Sequence, residues 1–275
     1  MTVEPAFVRG RGPGKRGELS ADPRYASLLT AVDRLAALVD DGTALKRDDD
    51  HAVLVVTPAA GASPLLCKFF PVRSLLDRLW QRWGLDRPAR MHRRLKRVTG
   101  SNLPVPPTLG HVSVAGVGAA WFCPLLSGTG LLYWTGDKLP DSPAGRAALL
   151  NPVLDTMLEL HRAGFVHGDF KWGNVLRDGD ACWLVDVDGL RAVTVTDFCR
   201  GKARDLARFL LDCEEAGVPA DEVWALMCRY AALAAHTTAT VEARVNPVLA
   251  RLRERHRRRY GEGYRLTLYG PAESS

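Results

Sequence analysis

Four polar residues, His167, Asp169, Lys171 and Asn174, fall within the stretch VHGDFKWGNVL, which runs from Val166 to Leu176. A carboxylate, an ammonium and an amide this close together could simply close a turn, with Asp169 and Asn174 bonding their own backbone. They could also handle a phosphoryl group. That chemistry asks for a carboxylate to orient an acceptor hydroxyl and take its proton, a cation against phosphate oxygens, and hard oxygen donors for Mg2+. Two further residues would complete the set. Lys68 lies in the apolar run LLCKFF, and Asp186 comes twelve residues after Asn174, directly behind the apolar run ACWLV. Asp188 competes with Asp186, because DVDG offers two carboxylates two apart and strand alternation would send both to one side. Asp186 is preferred because it follows the apolar run directly.

These residues need elements to hold them, and the hydrophobic pattern supplies candidates. RYASLLTAVDRLAALVDDG carries apolar residues at 28, 29, 32, 35, 36 and 39, a helical stripe closed by Gly42. HAVLVVTP, a Gly/Ser/Pro turn and LLCKFF predict a two-stranded hairpin bearing Lys68. SLLDRLWQRWG predicts a helix with Leu75, Leu76, Leu79, Trp80 and Trp83 on one face. Such a helix as a rule packs its apolar face on its own domain, the alternative being a membrane surface. HVSVAGVGAAWFCPLL predicts two more strands. From about Leu125 the pattern turns helical. RAALLNPVLDTMLELHRAG has Leu150, Leu154, Met157, Leu158 and His161 in phase and is ended by Gly164. Strand ACWLVDVDG and helices RDLARFLLDCEEAG and DEVWALMCRYAALAA follow. The expected class is therefore α+β, strand-rich first and helical second. The expected division is a mobile Gly/Arg-rich segment over 1–22, a first lobe over 23–123 and a second over 124–275.

Composition narrows the field. A chain of 275 residues with 47% hydrophobic residues can bury a sizeable core, so pervasive disorder is excluded. No apolar run is long enough to span a membrane, and the N-terminal sequence lacks the apolar core of a secretory signal, so a cytoplasmic protein is expected. Six cysteines form no CxxC pair, which predicts small buried thiols in a reducing compartment. The formal charge of +6 is concentrated: from Arg73 to Arg97 nine Lys/Arg face only Asp77 and Asp86, and a second basic run, RLRERHRRRYGEGYR, lies near the C-terminus. Both are either solvated helix faces or surfaces for a polyanion. GRGPGKR near the N-terminus is not a P-loop, since its glycines are one residue too close and Arg16 stands where Ser or Thr is needed.

Asp169 and Asn174 match the D-x-x-x-x-N spacing of the kinase catalytic loop. Together, HGDFKWGNVL, WLVDVDG, LPVPPTLG and RGKARDLARFLLD resemble the protein-kinase-like superfamily, and most of all its bacterial lipopolysaccharide core kinases, the Kdo and heptose kinases. The similarity spans roughly residues 43–235 and is stronger in the second half. It implies a bilobal protein-kinase-like fold and a kinase using ATP and Mg2+. By that resemblance Asp169 is the catalytic base, Lys171 a γ-phosphate contact, Asn174 and Asp186 the magnesium ligands, and Lys68 the ATP lysine. His167 has a structural role behind the metal strand, and Asp205 is a candidate to bond the catalytic loop, unless it is a plain N-terminal helix charge. The implied acceptor is a phosphorylated glycan or glycolipid, met at the anionic inner face of the inner membrane. Fewer than twenty residues part Asp188 from Arg204, with no A-P-E motif, which suits a small acceptor better than a peptide. Two features depart from the family pattern. KRDDDHAV replaces the glycine-rich loop, and RPARMHRRLKRV offers Met91 or His92 where a glutamate should pair Lys68. The alternatives are a catalytically inactive nucleotide-binding scaffold, an aminoglycoside- or choline-type phosphotransferase, and a kinase for an RNA-associated or protein acceptor. Nucleic acid is the less favoured partner.

Overall fold

A computed structural model of the chain describes residues 7–12, 14–98 and 101–266. It divides into two compact units, the first formed by residues 1–102 and 106–126, the second by 103–105 and 127–275. The class is α+β, as expected, with the seven-stranded sheet in the first unit and the longest helices in the second.

The first unit is built on one antiparallel sheet. Its strands are β1 (Phe7–Gly12), β2 (Lys15–Ser20), β3 (Thr43–Arg47), β4 (Ala52–Val56), β5 (Leu65–Pro71), β6 (Gly110–Val114) and β7 (Gly118–Pro124), in the spatial order β1-β2-β6-β7-β5-β4-β3. Helix α1 (Ala31–Asp40) follows a 3-10 segment, Pro23–Thr30, so the single helix expected here is divided. Leu28, Leu35 and Leu38 bury themselves with Leu54, Val56, Leu65, Cys67 and Phe122 in the core. Helices α2 (Leu75–Trp83) and α3 (Arg87–Leu95) connect β5 to β6, each with a side-chain N-cap, Ser74 and Asp86.

Two expectations are corrected here. The mobile N-terminal segment is instead a hairpin: β1 pairs β2, and β2 continues the sheet by pairing β6 from Lys15↔Val114 to Leu19↔Gly110. Residues 1–6 and 13 of that segment lie outside the described residues. Gly110 permits the pairing, since a Cβ there would lie 2.2 Å from the Glu18 carbonyl oxygen. The second correction concerns α2, whose apolar residues do not pack on its own unit. Leu75, Leu76 and Trp83 are each more than 60% exposed, and the one buried residue of the helix is Gln81.

In the second unit, β8 (Thr129–Gly130) precedes α4 (Pro143–Arg162), which Ser142 caps and Gly164 follows in a left-handed conformation. All five in-phase residues of α4, from Leu150 to His161, are buried. Then come β9 (Phe165–Val166), β10 (Val175–Asp178), β11 (Ala181–Leu184) and β12 (Arg191–Ala192). β10 pairs with β11 and β8, and β12 with β9. Helices α5 (Arg200–Ala216), α6 (Ala220–Leu233) and α7 (Thr238–Tyr260) complete the unit. The cysteines are all free thiols, and Cys67, Cys123, Cys182 and Cys213 are buried.

Candidate functional site

The loop between β9 and β10 carries His167, Asp169, Lys171 and Asn174, and α5 holds it at two places. Asp205 is fully buried. Its Oδ2 accepts the His167 backbone N–H at 2.7 Å and its Oδ1 accepts that of Gly168 at 2.9 Å. Seven residues on, two helical turns along the same face, Asp212 Oδ2 accepts the Trp172 N–H at 2.7 Å. Burial pushes the Asp212 carboxyl up to about 6, against the pull of the Arg208 charge. Asp205 also faces His161, whose Nε2 lies 3.3 Å away while its Nδ1 meets the Tyr230 hydroxyl at 2.7 Å. Burial pushes His161 down, so the ring is neutral: Nε2–H donates to Asp205 and Nδ1 accepts from Tyr230.

His167 is buried and fully used. Its Nε2 lies 2.9 Å from the Val185 carbonyl, which can only accept, so Nε2 bears the proton. Nδ1 then accepts a long 3.4 Å bond from the Asp169 N–H. Neither ring nitrogen is left for proton transfer, and the ring ties the loop to the segment behind β11. The loop backbone also passes close to that segment at Gly168, where a Cβ would meet the Gly189 carbonyl oxygen at 2.9 Å.

The three remaining side chains form a small cluster. Asn174 is buried, and its Nδ2 donates to the Asp169 carbonyl at 2.9 Å and reaches toward Asp169 Oδ2 at 3.5 Å. Lys171 Nζ lies 3.1 Å from the same carboxylate oxygen, both side chains being partly exposed. Because Nδ2 is spent on Asp169, Oδ1 is the atom Asn174 can offer to a cation.

Val185, the residue before Asp186, donates its N–H to the Asn174 carbonyl at 2.9 Å. The strand does not run to Asp186 as expected. It ends at Leu184, Asp186 takes a left-handed conformation (φ 57, ψ 47), and a 3-10 turn over Val187–Gly189 follows. Alternation therefore does not apply, and the two carboxylates differ: Asp186 is exposed, whereas both carboxylate oxygens of Asp188 are buried. A left-handed non-glycine residue carries backbone strain, which concentrates at functional positions.

Lys68 belongs to the first unit and is 5% exposed. It pairs with Val53 on one side and Trp121 on the other. It thus shares the sheet face on which the Trp121 indole donates to Thr108, the residue whose hydroxyl also meets His92 Nδ1 of α3 at 2.8 Å. Lys68 Nζ is 5.9 Å from the Phe70 ring, which His51 stacks upon. Burial, then the Lys68 charge, pushes His51 down. The three acids of the preceding turn are exposed, and Asp48 is engaged by Lys46 at 2.7 Å.

No glutamate comes from α3. Besides its N-cap Asp86, the helix has an acid beside it in Glu18 of β2, 2.6 Å from Lys96 and 3.9 Å from the His92 ring. Burial works against the Glu18 charge, but Lys96 holds its carboxyl below the usual range. Burial drives His92 down to about 3, with the nearby His111 ring reinforcing the shift.

Residue-level reading of the sequence identified the loop and named Asp205 as its candidate anchor, which the geometry bears out. It missed Asp212 and Glu18. Asp212 had a signal: two aspartates seven apart in DLARFLLD fall on one helical face, with Arg208 and Phe209 between them. Among the described residues, no group of three or more His, Cys, Asp or Glu side chains could hold a metal ion by itself. No protein-family model matches the sequence, and no curated protein is similar enough to count as a match.

Proposed function

We propose that the chain is an ATP-dependent phosphotransferase that passes the γ-phosphoryl group to a sugar hydroxyl, with Kdo or heptose of lipopolysaccharide core as the favoured acceptor. The observation that carries this reading is the loop itself. A partly exposed carboxylate, a lysine and an amide are gathered within six residues, and two buried aspartates of α5 fix the backbone that presents them. A turn that merely reversed the chain would need neither anchor. The first unit fits the same reading: counting from Thr43, Lys68 lies on the third strand, as the kinase lysine does, and helices follow it. This order of elements supports a protein-kinase-like fold.

In this mechanism Asp169 accepts a hydrogen bond from the acceptor hydroxyl and takes its proton as the oxygen attacks the γ-phosphorus, the bond from that phosphorus to the β,γ-bridging oxygen breaks and ADP leaves. Lys171, resting against Asp169, turns its charge to the transferring phosphoryl oxygens. Lys68 contacts the non-transferred phosphates. The donor set suits magnesium, which binds through one or two carboxylates together with substrate phosphates. Asn174 through Oδ1 and Asp186 through its exposed carboxylate would hold the ion, which neutralises phosphate charge when bound. Asn174 also keeps the Asp169 carbonyl in place, so that it orients the base as well as serving the cation.

A second reading, a nucleotide-binding scaffold without turnover, draws on α3, which offers Met91 or His92 where the resemblance calls for a glutamate, His92 being engaged by Thr108. One experiment separates the two. Labelled γ-phosphate from Mg-ATP is offered with purified lipopolysaccharide core to the wild type and to Asp169→Asn. Label entering the glycan with the wild type alone supports the phosphotransferase. Nucleotide binding without transfer to any sugar acceptor favours the scaffold.

A further inference from the structure

Helix α2 is amphipathic but mounted the wrong way round for a core helix. Its polar residue Gln81 faces the unit, while Leu75, Leu76, Leu79, Trp80 and Trp83 occupy the opposite arc and are each more than 40% exposed. Asp77, its one acid, is turned to the helix's own start, where it accepts the Arg73 and Ser74 N–H groups. Arg78 and Arg82 flank the apolar arc and are exposed. Beside the helix lies a groove of about 980 Å³ to which Lys15, Arg16, Arg78 and Arg82 contribute, and among the described residues no acid lines it. Of these cations, Lys15 has an ionic partner outside the groove, Asp33 at 2.6 Å.

We infer that α2 and this groove form a docking surface for an anionic lipid bilayer. The apolar arc and its two tryptophans enter the interface between headgroups and acyl chains, and Arg16, Arg78 and Arg82 face the anionic headgroups. Other occupants fit this face less well. A second copy packed on it about a two-fold axis would bring Arg78 and Arg82 toward their own equivalents. A nucleic acid would satisfy the arginines but leave Leu75, Leu76 and Leu79 in water. A bilayer satisfies both.

The test uses the full chain and two kinds of vesicle, phosphatidylcholine alone and phosphatidylcholine mixed with phosphatidylglycerol. Flotation and tryptophan emission report binding. The wild type is expected to float with the anionic vesicles, with a blue-shifted emission, and far less with the neutral ones. Arg78→Ala with Arg82→Ala should weaken partitioning by about thirtyfold, at roughly 1 kcal/mol per cation near an anionic surface. Leu76→Ser with Trp83→Ser should abolish the blue shift. All four positions are exposed, so both variants should keep the circular dichroism of the wild type. The inference is overturned if the wild type ignores anionic vesicles, or if neither double variant changes its binding. It is equally overturned if the apolar variant instead abolishes a lipid-free dimer, or if RNA, not lipid, binds in a manner that needs the two arginines. The binding readout needs no catalysis, so failure of the phosphotransferase reading would leave it standing.

Discussion

At the scale of single residues, the two aspartates of α5 make opposite predictions although both bond the same loop. Asp205 uses both oxygens as acceptors from backbone N–H groups. Asp205→Asn must turn an amide NH2 toward one of those donors, leaving it unsatisfied. We expect a loss of about 2–3 kcal/mol in denaturant unfolding and loss of transfer activity. Asp212 has one such bond and a carboxyl raised from its ordinary 3.8 to about 6. A raised folded value means stability that is present at low pH and lost as pH rises through about 6. Asp212→Asn keeps an acceptor for Trp172 without the buried charge, so it should gain on the wild type as pH rises through that window. Unfolding midpoints measured on either side of pH 6 would check the sign. Asp169→Asn should lower the transfer rate by about 10²–10⁴ while leaving stability unchanged, because its side chain is half exposed. Lys171→Ala should lower the rate as well, and an unaltered rate would remove Lys171 from the mechanism. The loop was legible because its residue types are unusual at that spacing. Asp212 was not, because an aspartate within an apolar helix looks the same in sequence whether it caps, pairs or anchors.

At the scale of elements, alternation and helical phase located β4, β5, β6, β7, α4, α5 and α6, since each carries a strong apolar period and a turn or glycine at its end. What failed was the partner of each face. Periodicity states that α2 has an apolar side but not what covers it, and composition made a paired hairpin out to be a mobile lead. Strand pairing is a long-range property, and Gly110, ninety residues further along the chain, decides whether β2 can approach. That dependence is testable. Gly110 has φ of +136, and Gly110→Ala would drive its methyl group into the Glu18 carbonyl. A loss of about 2–4 kcal/mol is expected, with hydrogen exchange rising first in β1 and β2. Exchange rising uniformly over the sheet would show that the hairpin is integral to the unit and not an addition to its edge.

For the whole molecule, net charge and burial of histidines set the response to solution conditions. Burial pushes His51, His111 and His161 down, His92 to about 3 and His256 to about 4. A depressed folded value means stability present above the ordinary histidine range and lost as pH falls through the folded value. His256 is a case where the bonding fixes the state. Arg208 donates to its Nε2 at 2.5 Å, so the ring is neutral and its Nδ1–H donates to Glu215. Glu215, raised by burial to about 7, and Asp212 act in the opposite sense but are outnumbered. Urea midpoints should therefore fall steadily from neutral pH to about pH 5, and Glu215→Gln should gain on the wild type as pH rises over the same range. The basic C-terminal run is less of a free polyanion site than its sequence suggests, since Arg257 and Arg258 are held by Glu254, and Arg253 by Glu214. The hairpin at the other end has a practical consequence. A shortened version beginning near residue 22, the obvious choice for anyone trimming a glycine-rich leader, would strip β2 from β6 and turn that interior strand, four of whose five residues are buried, into the sheet edge. It would also release Lys96 and His92 from Glu18. Such a product should precipitate on concentration by edge-to-edge pairing, whereas an affinity tag joined ahead of residue 7 leaves that edge covered.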